Sequence, residues 1–211
     1  MFDAGVLTFQ EFAMRESLPL AQIQETVLEF LRGREDAVVF DAQAVNAYVG
    51  ESRMTQDIDL LSTRAEELAG ELREHLSQKF HIAVRVREVG DGKGWRLYQV
   101  RKERNRHLID LRSIKEMPDT RTIEDIKILA PAELIASKVI SYHARRGKPK
   151  SRTDWRDIAM LLLTFPELKS ETGAVADQLK TAGTDEHVLN VWRGLVAQEI
   201  EFEDEDDDLN F

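Results

Sequence analysis

The sequence predicts an α+β protein: a mixed β-sheet flanked by helices, followed by a C-terminal helical bundle. Before residue 131, short apolar runs bounded by turn residues alternate with segments of helical periodicity. After that point the apolar spacing is helical throughout. A Gly-Asp-Gly-Lys-Gly turn at 90–94 joins two alternating runs, which is typical of a β-hairpin. We therefore expect four to six strands with helices packed on them.

Each element of the first part is predicted from its apolar spacing and its boundaries. The helix 63–80 has a single leucine stripe, which we assign to the core rather than to a cofactor site. The predicted order is a helix that follows 18–20 and stops at Gly33, a strand at 37–40, a helix at 42–49, strands at 57–61, 81–89, 95–100, 108–111 and 126–129, and the helix 63–80 between the second and third strands.

The second part begins at Pro131, which suits the first turn of a helix because no N–H is needed there. Further helices are predicted at 154–165, 170–179 and 186–200. The predicted organisation is an α/β domain over 1–130 that includes the N-terminal helix, a helical domain over 131–200, and an acidic tail over 201–211.

Composition predicts a soluble cytoplasmic protein with no membrane association. Hydrophobic residues make up 42% of the chain, yet no apolar run approaches the roughly 18 residues of a membrane span. The N-terminal segment lacks the basic-then-apolar pattern of a signal peptide. Zero cysteines exclude disulfides and thiolate metal sites, and the five histidines show no zinc-binding spacing.

The net charge of −10 comes mostly from one segment. Residues 199–208 hold 8 of the 39 acidic residues and no basic residue, so the remainder has 31 acids against 29 bases. We expect a disordered, solubilising tail from this composition. The alternative is a mimic of nucleic acid that lies in a basic cleft or binds a partner.

Asp57 and Asp59 are the strongest candidates for a functional site. If Ile58 and Leu60 belong to a buried strand, the two carboxylates point to the same face. Two adjacent carboxylates do not both stay ionised cheaply unless a cation joins them. Oxygen-only ligands suit Mg²⁺ or Mn²⁺. The alternative is a solvated strand end.

The run Arg53-Met54-Thr55-Gln56-Asp57-Ile58-Asp59-Leu60, together with the strand, turn and helix at 38–48, resembles the minimal nucleotidyltransferases of the DNA polymerase beta superfamily. Within it, the chain is most similar to the AbiEii-type group, known chiefly as toxins of toxin–antitoxin systems. The resemblance covers roughly residues 35–165. It implies a nucleotidyltransferase-type fold that moves a nucleoside monophosphate from an NTP to a hydroxyl of RNA, protein or a small molecule, and a cognate antitoxin as partner.

The same resemblance implies a role for each matching residue. Asp110 would complete a metal triad with Asp57 and Asp59 and help to deprotonate the attacking hydroxyl. The other implied site residues are Lys138 and Arg145 on the triphosphate, Asp154 and Asp157 as a closing catalytic motif, and Arg53 and Thr55 supporting the turn or the phosphates.

Three of these residues also have a purely structural interpretation. Lys138 interrupts an apolar helix and could extend its ammonium group to solvent. Asp154 could be a helix N-cap, and Asp157 could form a surface ion pair.

Asp41-Ala42 departs from the family, which has Gly-Gly or Gly-Ser at these nucleotide-binding positions. Small residues let backbone N–H groups approach phosphates at a helix N-terminus. We expect Asp41 to be an ordinary N-cap whose carboxylate opposes the triphosphate. A degenerate, non-catalytic nucleotidyltransferase fold that acts as a binding or regulatory protein is therefore the alternative function, and a Mg²⁺-dependent nuclease is a second.

Two basic clusters, Arg101–His107 and Arg145–Arg152, precede proposed site segments. One interpretation is that both clusters are solvent-exposed loops without a binding role. The sharper hypothesis is a salt-sensitive contact surface for the phosphate backbone of RNA, such as tRNA.

Overall fold

The computed structural model describes residues 18–201, so the predicted tail beyond Glu201 lies outside the described residues. The described chain contains seven α-helices: α1 Leu20–Leu31, α2 Asp41–Tyr48, α3 Ala65–Phe80, α4 Pro131–Ala144, α5 Lys150–Thr164, α6 Ala174–Thr181 and α7 Glu186–Val196. It also contains seven strands: β1 Val38–Phe40, β2 Ile58–Ser62, β3 Val84–Val89, β4 Gly94–Gln99, β5 Arg106–Ser113, β6 Thr120–Ile123 and β7 Ile126–Leu129.

The strands form one mixed sheet in the order β3-β4-β5-β2-β1-β7-β6. Two pairs are parallel, β2 with β5 and β1 with β7, and the other pairs are antiparallel. The predicted fold class is confirmed, but the expected four to six strands were too few. The sequence-based prediction missed β6, because its four residues, Thr-Arg-Thr-Ile, lack the apolar alternation of a half-buried strand.

The core of the first compact unit, which ends at Ala130, lies between the sheet and its helices. Helix α3 packs on β2, β3, β4 and β5 through the predicted leucine stripe. Leu68, Leu72 and Leu76 are fully buried in that stripe, as are Leu97 and Ile109 on the strands below. Each such side chain contributes about 1.5–3 kcal/mol of hydrophobic stabilisation.

The pairing of β4 with β5 contains an irregularity that matters for function. Leu97 is opposite Ile109, but the next residue, Tyr98, is opposite His107, so β5 has one extra residue at Leu108. A bulge of this kind shifts the alternation of side chains between faces. Strict alternation along β5 would place Leu108 on the face of Asp110, but the bulge interrupts it, and His107 lies on that face instead.

The hairpin of β3 and β4 forms at the predicted glycine-rich turn, with Val89 opposite Gly94. A Cβ on Gly94 would lie 2.6 Å from the carbonyl oxygen of Leu111, closer than backbone atoms tolerate. Glycine is therefore required where β4 begins beside β5.

The second compact unit begins at Pro131 and is helical. Helix α4 packs against α5, α6 and α7. Helix α6 starts at Ala174 rather than near 170, because the chain first makes a short 3₁₀ helix, Pro166–Leu168, and then takes an extended turn at Gly173. None of the described helices has the length and apolar character needed to cross a membrane.

Candidate active site

Asp59 and Asp110 are direct neighbours on the parallel strands β2 and β5. Side chains of paired residues point to the same face of a sheet. Asp57, two residues before Asp59, directly precedes β2. The fold thus places Asp59 and Asp110 on one face of the central strands, with the charge of Asp57 acting on Asp59 from the end of β2. We call this surface the carboxylate face.

The loop that leads into Asp57 is held by side chains from two helices. The amide of Asn46 on α2 donates to the carbonyl of Arg53 at 2.8 Å and accepts from its N–H at 3.0 Å. Gln24 on α1 donates to the carbonyl of Thr55 at 3.0 Å, and the Thr55 hydroxyl donates to the carbonyl of Asp57 at 3.1 Å. The backbone of Arg53 and the hydroxyl of Thr55 are therefore part of the hydrogen-bond network of this loop.

Sequence reasoning missed Asn46 and Gln24 as loop anchors. Both are buried polar residues, 5% and 6% exposed. A buried amide needs hydrogen-bond partners, but the sequence does not show that these two residues are buried.

Asp59 is the electrostatic centre of the carboxylate face. It is only 9% exposed, and its pKa is raised from 3.8 to about 7. Burial is the largest cause, followed by the negative charges of Asp41, Asp57 and Asp110, while Arg112 acts in the opposite direction. Four carboxylates therefore crowd a site with too little positive charge, which is where a cation would bind.

Two of these carboxylates are paired with basic side chains of the same unit. His107 Nδ1 lies 2.9 Å from an oxygen of Asp57. That hydrogen bond is the main reason that the pKa of His107 is raised. Arg96 Nε donates to an oxygen of Asp110 at 3.2 Å, and the charge of Asp110 raises the pKa of Arg96.

His107 is a site residue that sequence reasoning placed in a basic loop cluster. The β5 bulge, which brings His107 to the carboxylates, leaves no signal in the local sequence, since it depends on pairing with β4.

The carboxylate face matches a hard divalent cation in its donor chemistry but is not a preformed cage. All its acidic ligands are oxygens, the type that Mg²⁺ and Mn²⁺ prefer. Within residues 18–201, no group of three or more His, Asp or Glu side chains stands ready to hold a metal ion. Asp57 is in contact with His107, and Asp110 is paired with Arg96, so both carboxylates already have basic partners in this structure.

Asp41 does not cap α2, so that expectation was wrong. Phe40 is the N-cap residue, and Asp41 is the first helical residue with a positive φ of 57°. This left-handed conformation favours glycine, because an L side chain is strained there. The backbone at Asp41 thus keeps the shape that suits the glycine usual in the family, while Ala42 is buried behind it.

In the helical unit, the four remaining predicted site residues form two ion pairs. Lys138 Nζ lies 2.7 Å from an oxygen of Asp157, and these side chains are 3% and 0% exposed. Arg145 donates to both oxygens of Asp154 at 2.8 and 2.9 Å.

The structural alternatives considered for Lys138, Asp154 and Asp157 were wrong. Lys138 is buried and does not extend to solvent, and Asp157 is not on the surface. Because α5 begins at Lys150, Asp154 lies within the helix and is not its N-cap.

The two basic clusters are only partly exposed. In the first, residues 101–105 are exposed, but Arg106 donates to the side chain of Gln99 and to the carbonyl of Leu18, and His107 contacts Asp57. In the second, Arg145 is committed to Asp154, whereas residues 146–150 are exposed.

A comparison with protein families identifies the chain. Residues 43–210 match the family model described as "Nucleotidyl transferase AbiEii toxin, Type IV TA system", which is well over half of the sequence. The chain belongs to the AbiEii nucleotidyltransferase family. It is therefore an enzyme of the nucleotidyltransferase class, as the resemblance implied. The AbiEii match begins at Gln43, immediately after the divergent Asp41-Ala42 pair. No match was found among curated proteins.

Solved structures agree with the AbiEii fold. The Megavirus polyadenylate synthase has a TM-score of 0.57 at 15% identity over 70% of this chain and 32% of its own. JHP933 from Helicobacter pylori has a TM-score of 0.57 at 13% identity over 90% of this chain and 92% of its own. This chain therefore spans about a third of the first protein and nearly all of the second. At such identities the likeness concerns the fold.

Proposed function

We propose that the chain transfers a nucleoside monophosphate from an NTP to a hydroxyl, with Mg²⁺ or Mn²⁺ held by Asp57, Asp59 and Asp110. The observation that supports this most is the buried Asp59, whose pKa is raised to about 7 by burial and by the surrounding carboxylates. A bound divalent cation would supply the positive charge that clamps the attacking and leaving oxygens.

The reaction requires one bond to form and one to break. The acceptor oxygen bonds to the α-phosphorus of the NTP, and the bond from that phosphorus to the bridging oxygen of the β-phosphate breaks. Pyrophosphate leaves with the electron pair, and the hydroxyl proton passes to Asp110. The catalytic work of the protein is then mainly positioning and charge neutralisation.

The residues of the helical unit divide into two roles in this proposal. We assign Arg145 to the triphosphate because the family resemblance implies this role; a third of its side chain is exposed and Asp154 holds its guanidinium group. Lys138 would first have to leave the buried carboxylate of Asp157, so we assign that pair mainly to stability.

The family description supports a place in a toxin–antitoxin system, with an antitoxin as partner. RNA, protein and small molecules are all open as acceptors at this level. The exposed parts of the two basic clusters are the contacts we propose for RNA. We place the reaction in the cytoplasm.

Incubation of the protein with each α-labelled NTP, Mg²⁺ and total RNA tests this function. Transfer predicts label on RNA, on protein or on a small molecule, and its loss in the Asp59→Asn and Asp110→Asn proteins. Asp119→Asn is the matched control, because that carboxylate is exposed and lies outside the site. Shortened RNA without label would indicate a nuclease. No change with any NTP would favour the non-catalytic alternative.

A further inference from the structure

The registers of β3, β4 and β5 gather arginines that are scattered in the sequence. One row across the sheet is Arg85, Tyr98 and His107, and the next is Arg87, Arg96 and Asp110. Residues paired in this way share a face. Arg112 follows two residues after Asp110 on the same face. We call Arg85, Arg87, Arg96, Tyr98 and Arg112 the arginine face.

The arginine face is open to solvent. Arg85, Arg87 and Arg112 are exposed, and Arg96 is 43% exposed. Within residues 18–201, no carboxylate forms an ion pair with Arg85 or Arg87. The opposite face of the same strands points Val84, Val86 and Leu97 toward α3, so the arginines lie on the side away from that helix.

The charge balance on this surface differs from that of the whole chain. Four arginines and one carboxylate, Asp110, occupy this face of the three strands. The single carboxylate is the predicted catalytic one, so the positive surface ends where the reaction would occur.

The size of the surface indicates an extended ligand. Neighbouring strands are about 4.8 Å apart, so Asp110 on β5 lies roughly 10 Å from the arginines of β3. A single phosphate cannot contact both ends. A phosphodiester strand can contact both ends, and its bases are then available to stack on an aromatic ring. Tyr98 lies in the first of the two rows, between Arg85 and His107, and the centroid of its ring is 5.0 Å from that of the His107 ring.

We propose that the arginine face binds the phosphodiester backbone of a single-stranded nucleic acid and directs its terminal hydroxyl to Asp110, with a base stacked on Tyr98. This inference rests on the proposed nucleotidyl transfer and narrows its acceptor to a nucleic-acid strand. It uses surface residues other than the two basic clusters recognised in the sequence.

Binding of a short labelled single-stranded RNA to the full chain, without NTP or Mg²⁺, tests the surface by fluorescence anisotropy at several salt concentrations. The Arg85→Gln/Arg87→Gln protein should bind more weakly, and its slope of log affinity against log salt should fall by about 1.4, at about 0.7 for each lost contact. The matched control is Arg73→Gln/Lys79→Gln, which removes the same charge from exposed positions on α3. The control should bind RNA almost as wild type does.

Tyr98 gives an independent readout. Tyr98→Leu should weaken RNA binding about tenfold at every salt concentration, because stacking does not release counterions. Tyr98→Phe keeps the ring and should retain the affinity.

Three results would overturn the proposal. The first is no RNA binding by wild type, and the second is equal weakening of RNA binding in the arginine pair and the control pair. The third is a poly-glutamate peptide that binds as tightly as RNA does and is unaffected by Tyr98→Leu. The last result would indicate an acidic protein segment as the occupant.

The rise of melting temperature with Mg²⁺ should be measured on the same proteins. It depends on the carboxylates and not on RNA. A lost RNA signal with a normal Mg²⁺ response would therefore reject this surface alone, whereas an absent Mg²⁺ response would count against the proposed function.

Discussion

The two units of this protein bury aspartates in opposite ways. In the helical unit, Asp157 and Asp154 each have a dedicated cation at 2.7 and 2.8 Å. On the carboxylate face, burial and then the repulsion of three other carboxylates raise the pKa of Asp59 to about 7. The aspartates of the helical unit are neutralised by their own Lys and Arg partners and require no bound ion. The crowded carboxylates around Asp59 would be stabilised by a bound cation, and this difference distinguishes a binding site from a structural ion pair.

The largest effect should come from breaking the balanced pair. Lys138→Met leaves Asp157 buried without its cation, which should cost about 3–5 kcal/mol in the free energy of unfolding. Urea denaturation measures this loss. Lys138→Met combined with Asp157→Leu is the control and should recover most of the stability. If Lys138→Met keeps full stability but loses NTP binding, Lys138 is a nucleotide ligand. The distinction between a structural ion pair at Asp157 and a binding site at Asp59 would then be wrong.

Asp59→Asn should have the opposite effect on the free energy of unfolding and stabilise the protein at high pH. The pKa of Asp59 rises from 3.8 to about 7 on folding, so the folded state holds the proton more tightly than the unfolded state. Wild-type stability from this group is full below pH 4 and is lost as the pH rises to about 7. Without metal at pH 8, Asp59→Asn should therefore be more stable by up to about 4 kcal/mol.

Melting curves across pH check the effect of Asp59→Asn, with Asp119→Asn as the exposed control. Equal stability of wild type and Asp59→Asn at pH 8 would mean that the crowding is already compensated. The variant should also lose the Mg²⁺ response.

Arg96→Gln should increase the affinity of the carboxylate face for a divalent cation, because it removes the positive charge beside Asp110. Arg96 is paired with Asp110 but is 43% exposed, so the pair contributes on the order of 1 kcal/mol. Its removal frees Asp110 and should tighten Mn²⁺ binding about fivefold, measured by calorimetry. Arg87→Gln removes the same charge from the paired position on β3 without touching Asp110. Equal changes in both proteins would show a general charge effect instead of competition for Asp110.

The smallest effect is expected at Asp41. With φ at 57°, glycine should relieve backbone strain, so Asp41→Gly should be as stable as wild type or more stable by up to about 1 kcal/mol. Asp41→Ala removes the same charge without the conformational freedom and separates the two causes. Both variants should bind NTP more tightly in calorimetry. A clear loss of stability in Asp41→Gly would show that the carboxylate stabilises the fold through its contacts.

Much of the fold follows from local sequence. The leucine stripe of α3, the glycine turn at 90–94, the start of α4 at Pro131 and the strand that carries Asp59 were all predicted correctly. Each depends on spacing or on one special residue, both of which are visible in a single segment. Strand β6 was missed because a polar edge strand has no such pattern.

The candidate site was predictable only in part. The Asp-x-Asp run marks one strand, and the family resemblance points to Asp110, Lys138 and Arg145. The sequence did not show that His107 contacts Asp57, that Lys138 is committed to Asp157, or that Asp41 takes a left-handed backbone.

The sequence alone was sufficient to predict that the helices and most strands exist, though not all of their ends, and to predict the candidate aspartates and the family. The partner of each charge was fixed by folding, because it depends on strand register and on the bulge at Leu108, which arise from pairing between distant segments. The same register assembles Arg85, Arg87 and Arg96 beside Asp110. Side-chain alternation is a local property, whereas cross-strand neighbours exist only once the sheet has formed.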